Sequence, residues 1–501
     1  MLPETFRHVT MASGIRCSLA RDPGKTALIC AGRTLTYAQL VDRIDRVASL
    51  AAGLGLAPGD RAAIVAGNCL EYIEIVDGLA EAGIAVATPN PRQTAAELRF
   101  ILEDCGARVV FASPDAEPLV RQCPSVERII VIGPGYDTLL QDARPTALPV
   151  VAEWQAFAIP YTSGTTGKPR GVVLPHRSRA LAGFCMASEY GCYGPDDRFL
   201  AVTPMFHGAG FSFAHAAVFF GGTCEIMTSY EPELLLRRLS EGGITGTFLV
   251  PTIFHGLFSL EKPILDRHRT HSLRALMSNA APLPQKTKET IVDYFGGGLL
   301  HELYGSTEGG IVCNLRPRDQ LRKQQCVGHP FTMNQVKLLD PDGNPTKPGE
   351  IGELFSTSPC LFLGYWNKPD ATAASMRDGW FSAGDLAWRD EDGCYYIVDR
   401  KKDMYISGGV NVYPREVEEL LFRLPGVRDA AVVGVPDDYW GEAGKAFLVL
   451  DPGAKLPPEA VIAACKQSLA GYKIPRHVAY IDVLPRNAAG KVLKTELRSR
   501  P

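Results

Sequence analysis

From residue 7 to about 135 the chain alternates short apolar runs with amphipathic stretches. The pattern predicts a helix near 36–52, a strand AAIVA from Ala62, a helix from Leu70, a strand AVAT from Ala85, a helix from Thr94 and a strand VVFA from Val109. Strands alternating with helices in this way argue for a parallel sheet with crossover helices. Two helix starts carry capping-box spacing, Thr36 with Gln39 and Thr94 with Glu97, in which side chain and backbone at the two positions satisfy each other. A second alternating set follows, with strands near 198, 223, 246, 274 and 299. After about 330 the helices thin out, and VKLLD, a PDGN turn at 341–344 and EIGELF predict a small twisted β unit. A charged break, DRKKD at 399–403, follows the apolar CYYIV. Beyond it come a helix REVEELLFRL, strands AAVVGV and KAFLVL, a helix at 458–470 and a strand VAYIDV, a compact α+β unit of about 100 residues. The expected fold class is α/β. A large N-terminal domain, 1–400, comprises two alternating subdomains and a small β unit, and a small α+β C-terminal domain spans 401–501.

Composition narrows the partners. With 501 residues the chain is long enough for two to four units. A net charge of −3 from 52 basic and 55 acidic residues, with no basic run, leaves no footprint for nucleic acid or an anionic membrane. Small molecules are the expected partners. Thirteen cysteines lie singly between Cys17 and Cys465 with no CxxC pair, which suits a reducing cytoplasm better than a disulfide framework or a zinc site. The start MLPETFRHVT has no secretory pattern, no run approaches the length of a membrane span, and LRSRP carries no lipidation or peroxisomal address. The expectation is a cytoplasmic protein.

Candidate chemistry begins at 161–171, YTSGTTGKPRG, a turn after the apolar AFAIP. Gly164 and Gly167 let backbone N–H groups approach an anion, Thr162, Ser163, Thr165 and Thr166 add hydroxyl donors, and Lys168 adds a cation. The guest this favours is a polyphosphate; the alternative is a Gly/Ser/Thr surface loop. The common loop GxxxxGK[ST] is excluded, since it needs glycine at Thr162 and a hydroxyl residue at Pro169. In HELYGSTE, 301–308, Tyr304 offers a flat face for a base and Glu308 a hard oxygen ligand for Mg²⁺; equally, the tyrosine is core and the glutamate a solvated helix start. Asp385 in GWFSAGDLA is suited to a ribose diol or to an Asx turn. SNAAPLP at 278–284 reads as a strand-to-helix turn, and Lys491 in PRNAAGKV as a surface lysine on a Gly-bearing turn.

In this order the segments resemble those of the adenylate-forming superfamily, which includes acyl-CoA synthetases, luciferases and peptide-synthetase adenylation domains. The likeness is strongest to bacterial acid–CoA ligases of the 4-chlorobenzoate or fatty-acyl type. The resemblance implies acyl-AMP formation from ATP, then transfer to CoA, with Mg²⁺ as cofactor. It puts ATP phosphates on Thr162–Lys168, adenine beside Ala280, Ala281 and Pro282 and against Glu302, Tyr304 and Gly305, and the ribose on Asp385 and Arg400. Thr307 and Lys491 fall at the α-phosphate, Glu308 at Mg²⁺, and Lys402 at the hinge of a mobile C-terminal domain. Gly408 and Gly409 match a loop beside the pantetheine arm, Trp440 and Tyr472 match aromatics that hold the CoA adenine, and Arg92 is placed for its phosphates. Two positions depart from the pattern: glycine is frequent where Asn279 and Ala280 stand, and Ile474 stands where the 4-chlorobenzoate ligase has a basic residue.

His207 matches a gate over the carboxylate, or is an ordinary half-buried histidine. Ala209, Gly210, Phe211, Val250, Gly309 and Ile311 describe an apolar acyl slot. The aspartate of amino-acid-activating relatives is missing after His207, and FHGAGFSF, VPTIF and GGIV hold no arginine for a second carboxylate. The expected substrate is a hydrophobic monocarboxylate, fatty or aromatic. The alternatives are an enzyme that loads a carrier protein or another acceptor and a non-catalytic acyl or nucleotide binder. Oligomeric state is left open, a homodimer included.

Overall fold

The computed structural model describes residues 8–163, 169–486 and 492–500. The chain gathers into two compact units, Met1–Gln335 with Ser356–Phe381, and Val336–Phe355 with Ser382–Pro501.

In the first unit, strands Arg61–Val65, Ala85–Ala87, Val109–Ala112, Arg128–Val131 and Ala156–Ile159 form a parallel sheet. Residues of both faces, Ala62 and Ala63 or Val110 and Phe111, are buried, which is why these strands read as continuous apolar runs rather than alternations. Both capping boxes form. Thr36 N–H donates to Gln39 Oε1 at 2.9 Å and Gln39 N–H to Thr36 Oγ1 at 3.2 Å; Thr94 and Glu97 repeat the exchange at 2.8 and 3.3 Å. The sheet is extended by two strands with no clear sequence signal. Pro169–Pro175 pairs antiparallel with Ala156–Ile159, and Gly364–Tyr365 pairs antiparallel with Pro169–Pro175. Prolines at both ends of the first argue against a strand, and the second is two residues long.

A second sheet in the same unit runs, in spatial order, Arg33–Thr36, Thr26–Cys30, Thr223–Ile226, Arg198–Ala201, Gly246–Leu249, Ala275–Ser278, Leu300–Ser306, Gly310–Leu315 and Cys326–Pro330. The members from Thr26–Cys30 to Leu300–Ser306 are parallel. Their helices pack on the sheet through a core that includes Leu200, Leu236, Leu249, Phe254, Leu276 and Ile291.

In the second unit, strand Gly352–Thr357 pairs with Asp385–Arg389, and that strand with Tyr395–Arg400. A five-stranded sheet follows, in which Gly441–Leu450 is central and forms a long hairpin with the edge strand Val427–Asp437. Helices Pro414–Leu421 and Pro458–Ser468 cover it over a core of Tyr405, Val417, Val432, Leu448 and Cys465. The DRKKD break lies inside this unit: Asp399 accepts from Arg400 N–H at 2.7 Å and from Arg415 N–H at 2.9 Å. The small β unit and the C-terminal α+β part fall in the same compact unit. Among the described residues the cysteines are free, and no helix is long and apolar enough to cross a membrane.

Candidate active site

Parallel strands expose their carboxyl ends along one edge of a sheet, and adjacent ends lie about 5 Å apart. Strands Arg198–Ala201, Gly246–Leu249, Ala275–Ser278 and Leu300–Ser306 are successive neighbours. The segments that leave their carboxyl ends carry His207, Val250, Ala280 and the turn at 307–309, so topology gathers four separate sequence motifs on one edge. The first and last of these adjoin: a Cβ added at Gly208 would lie 3.9 Å from Thr307 Cγ2.

His207 caps helix Gly208–Phe219, and its N–H donates to Pro204 O at 3.1 Å. Its imidazole has no hydrogen-bond partner among the described residues, and burial holds its pKa below the ordinary histidine value. The helix can start here because residue 210 is glycine, since a Cβ would run into the backbone of Thr203 and Pro204. Ala209, Val250 and Ile311 are half-buried and Gly309 is buried. Gly309 N–H donates to Ser306 Oγ at 2.9 Å, and Ile311 O accepts from Asn334 Nδ2 at 2.8 Å. Phe211 is buried, with ring centroids 6.5 Å from Phe157 and 6.2 Å from Tyr72. It lines a small pocket together with Val76, Thr88, Met205 and Arg179.

The phosphate-loop segment is closed at its ends by pairing of Thr162 with Arg170 and Ser163 with Pro169. Gly164, Thr165, Thr166, Gly167 and Lys168 lie outside the described residues. Tyr161 OH donates to Asp104 Oδ2 at 2.7 Å, and Trp366 Nε1–H to Asp104 O at 2.9 Å. The strand Gly364–Tyr365 next to this segment also reaches Glu308. Tyr365 OH donates to Glu308 Oε1 at 2.9 Å, and Phe362 N–H to Glu308 O at 2.9 Å. Arg170, on the downstream flank of the loop, stands 5.5 Å from the Tyr365 ring centroid. Behind the turn, Arg179 donates to the carbonyls of Thr307 and, at 3.0 Å, Cys360. Burial lowers the Arg179 pKa; its two carbonyl bonds answer the requirement that a buried cation be hydrogen-bonded.

Among the described residues no three His, Cys, Asp or Glu side chains form a metal cluster. A single carboxylate with one oxygen engaged, beside a phosphate-loop segment, fits Mg²⁺, which is usually held by one or two carboxylates and by substrate phosphates.

Ala280, Ala281 and Pro282 are exposed. Ala280 has φ +79°, a left-handed conformation that favours glycine, which explains why glycine is frequent at this position of the resembled segment. Glu302 is buried with its carboxylate turned inward. It accepts from Leu283 N–H at 3.1 Å and pairs with Lys288, which is 1 % exposed. Glu302 thus ties down the 279–284 turn. Tyr304 and Gly305 are half-buried at a bulge, where a Cβ on Gly305 would strike Gly310 O. In the second unit Asp385 and Arg400 are register partners and an ion pair, Oδ1 to Nε 3.2 Å.

Lys402 is exposed on a turn, and its carbonyl accepts from Arg498 Nη2 at 3.2 Å. Gly408 and Gly409 have φ +58° and +79°. A Cβ on Gly408 would come within 2.7 Å of the Trp440 ring. Arg476 lies 5.1 Å from the Trp440 ring centroid, and Lys473 Nζ 5.7 Å from that of Tyr472. Arg92, in the first unit, is exposed, with its backbone N–H on Asn90 Oδ1 at 2.9 Å. Lys491 lies outside the described residues. Its flanks are fixed by the Arg486–Val492 bridge and by Lys494, which pairs with Glu418 at 2.8 Å. Sequence reasoning missed Arg179, Lys288, Tyr365 and Arg476. Arg476 had a local signal, a cation two residues past Ile474; the others act across long sequence separations.

The chain is similar to known proteins over nearly its whole length. Residues 15–366 match the AMP-binding enzyme family and 416–491 the AMP-binding enzyme C-terminal domain. The chain is 35% identical to feruloyl-CoA synthase from Amycolatopsis over 95% of its own length and 96% of that protein. It is 33% identical to the medium/long-chain-fatty-acid–CoA ligase FadD8 of Mycobacterium tuberculosis, over 96% and 88% of the two chains. The crystal structure of ATP-bound MatB from Rhodopseudomonas palustris superposes with a TM-score of 0.89 at 30% identity, covering 97% of this chain and 98% of that one. The chain therefore belongs to the AMP-binding enzyme family of adenylate-forming ligases.

Proposed function

We propose that this protein is an ATP-dependent acid–CoA ligase acting on a hydrophobic monocarboxylate, aromatic or fatty. The observation that carries the reading is the joining of three elements at one turn: Glu308 is hydrogen-bonded to the strand beside the phosphate-loop segment, and Thr307 next to it adjoins the start of the His207 helix. Nucleotide phosphates and an acyl carboxylate would thus meet over residues 307–308.

In the first half-reaction a carboxylate oxygen attacks the α-phosphorus of ATP, the bond to the bridging oxygen breaks, and pyrophosphate leaves with that electron pair. The obstacle is repulsion between two anions. Thr162–Lys168 would hold the β- and γ-phosphates, while Thr307 Oγ1 and Lys491 would stabilise charge at the α-phosphate. Glu308 would hold Mg²⁺, which when bound offsets the charge of the phosphate oxygens. Ala280, Ala281, Pro282, Tyr304 and Gly305 would position the base, and Asp385 with Arg400 the ribose. Glu302 would act from behind by holding the 279–284 turn. In the second half-reaction the CoA sulfur attacks the acyl carbon, its proton passes to solvent, and AMP leaves. His207, kept neutral by its buried surroundings, would close one side of the acyl slot formed by Ala209, Gly210, Phe211, Val250, Gly309 and Ile311. Gly408, Gly409, Trp440, Tyr472 and Arg92 would bind CoA, with Lys402 as the hinge between the half-reactions. The feruloyl and medium/long-chain fatty-acid specificities of two relatives and the lack of an arginine or aspartate in the slot segments favour an apolar acid.

The test is pyrophosphate release and thioester formation from ATP, Mg²⁺ and CoA, with a panel of cinnamic, benzoic and C6–C16 fatty acids, for wild type and Lys491→Ala. Thioester from at least one acid, reduced by two orders of magnitude or more in Lys491→Ala, is the expected result. CoA-independent pyrophosphate release without thioester would transfer the reading to a carrier-protein acceptor. Absence of pyrophosphate release with every acid would refute it.

A further inference from the structure

Metal-bound carboxylates are themselves oriented by hydrogen bonds from groups behind them. Glu308 has such a group in Tyr365, which comes from a strand 57 residues further along the chain. Three contacts hold the tyrosine. Its backbone pairs with Val172 across the strands Gly364–Tyr365 and Pro169–Pro175. Its N–H donates to Thr372 Oγ1 at 2.9 Å. Its ring packs edge-on against Phe362, centroids 5.1 Å apart, with the Arg170 guanidinium 5.5 Å from its centroid. Phe362 in turn donates its N–H to Glu308 O at 2.9 Å. The short segment Phe362–Tyr365 therefore grips Glu308 at both its backbone carbonyl and its carboxylate.

A phenol, whose ordinary pKa is about 10, is protonated at neutral pH and donates to the carboxylate it touches. A donor on Oε1 fixes the plane of the carboxylate and leaves Oε2 for another partner. The same strand pairs with Pro169–Pro175, the strand that flanks the phosphate-loop segment downstream.

We infer that Tyr365 is a positioning residue for the metal-binding carboxylate: its hydroxyl holds Glu308 in the rotamer that receives the divalent cation of the ATP complex. The inference rests on the assignment of Glu308 as the metal ligand made above.

The test measures metal binding directly and without turnover. Mn²⁺ affinity is read by electron paramagnetic resonance on full-length protein saturated with α,β-methylene-ATP, for wild type, Tyr365→Phe, Glu308→Gln and the double variant, with melting temperatures taken alongside. Tyr365→Phe keeps the ring and removes only the donor, and it is expected to weaken Mn²⁺ roughly 10-fold with little change in melting temperature. Glu308→Gln is expected to weaken it at least as much, and adding Tyr365→Phe to Glu308→Gln to do nothing further, since the hydroxyl acts only through that carboxylate. Unchanged Mn²⁺ affinity in Glu308→Gln overturns the metal-ligand assignment itself. If Glu308→Gln weakens binding but Tyr365→Phe does not, or if the two effects multiply in the double variant, the positioning role is overturned while the assignment stands.

Discussion

The pair formed by Lys288 and Glu302 gives a prediction that ties the interior to the candidate adenine segment. Lys288, on helix Gln285–Phe295, is 1 % exposed and meets a carboxylate that is 7 % exposed. Both ions have left water, and the pair persists because each has the other and Glu302 also accepts Leu283 N–H. Replacing Lys288 by Met preserves the length of the side chain but strands the carboxylate. Removing one partner of a buried pair costs about 3–5 kcal/mol, whereas replacing both by apolar groups is often near neutral. Lys288→Met is therefore expected to lose about 3 kcal/mol or more in urea unfolding. The double variant Lys288→Met/Glu302→Leu gives up the Leu283 N–H bond, worth about 1 kcal/mol, and is expected to recover most of the remainder. Because Glu302 orders the 279–284 turn, KM for ATP should rise in Lys288→Met more than KM for the acid. A loss below about 1 kcal/mol, or a double variant as unstable as the sum of the two single ones, would refute this account.

Gly210→Ala would push a methyl group into the Thr203 and Pro204 backbone; overpacking of this kind costs about 1–3 kcal/mol and should displace His207, so melting temperature and thioester formation are expected to fall together. His176 and His301 are buried, and their pKa values are lowered to about 4 by burial. With folded values below the unfolded value of about 6.5, each contributes full stability above pH 6.5 and loses it as pH falls toward 4, by up to about 3 kcal/mol at 1.36 kcal/mol per unit. Urea unfolding of His301→Gln between pH 7 and pH 4.5 should accordingly show a shallower loss than wild type, and parallel curves would exclude the linkage.

The sequence by itself determined the elements whose cause is local. Capping boxes at Thr36 and Thr94 were legible because both partners lie within one turn, and the parallel strands because burial on two faces forces continuous apolar runs. The candidate motifs were legible for a related reason, since Glu308, Asp385 and the residues of 161–171 lie in short segments whose glycines, hydroxyls and charges can be read without reference to distant residues. Other features depended on contacts between residues far apart in the chain. The strand Gly364–Tyr365 exists only because Pro169–Pro175 offers it an edge, and two residues have no periodicity to read. Arg179 appears as one more charge on a helix, yet burial and two remote carbonyls make it a strut under the Thr307 turn. Glu302 sits in a nucleotide-like octet, but its carboxylate faces Lys288, a direction set by packing of helix Gln285–Phe295 on the sheet. Even the gathering of His207, Val250, Ala280 and Tyr304 followed from strand order, which no single segment encodes. Local chemistry fixes what a residue can do, and tertiary packing fixes what it faces.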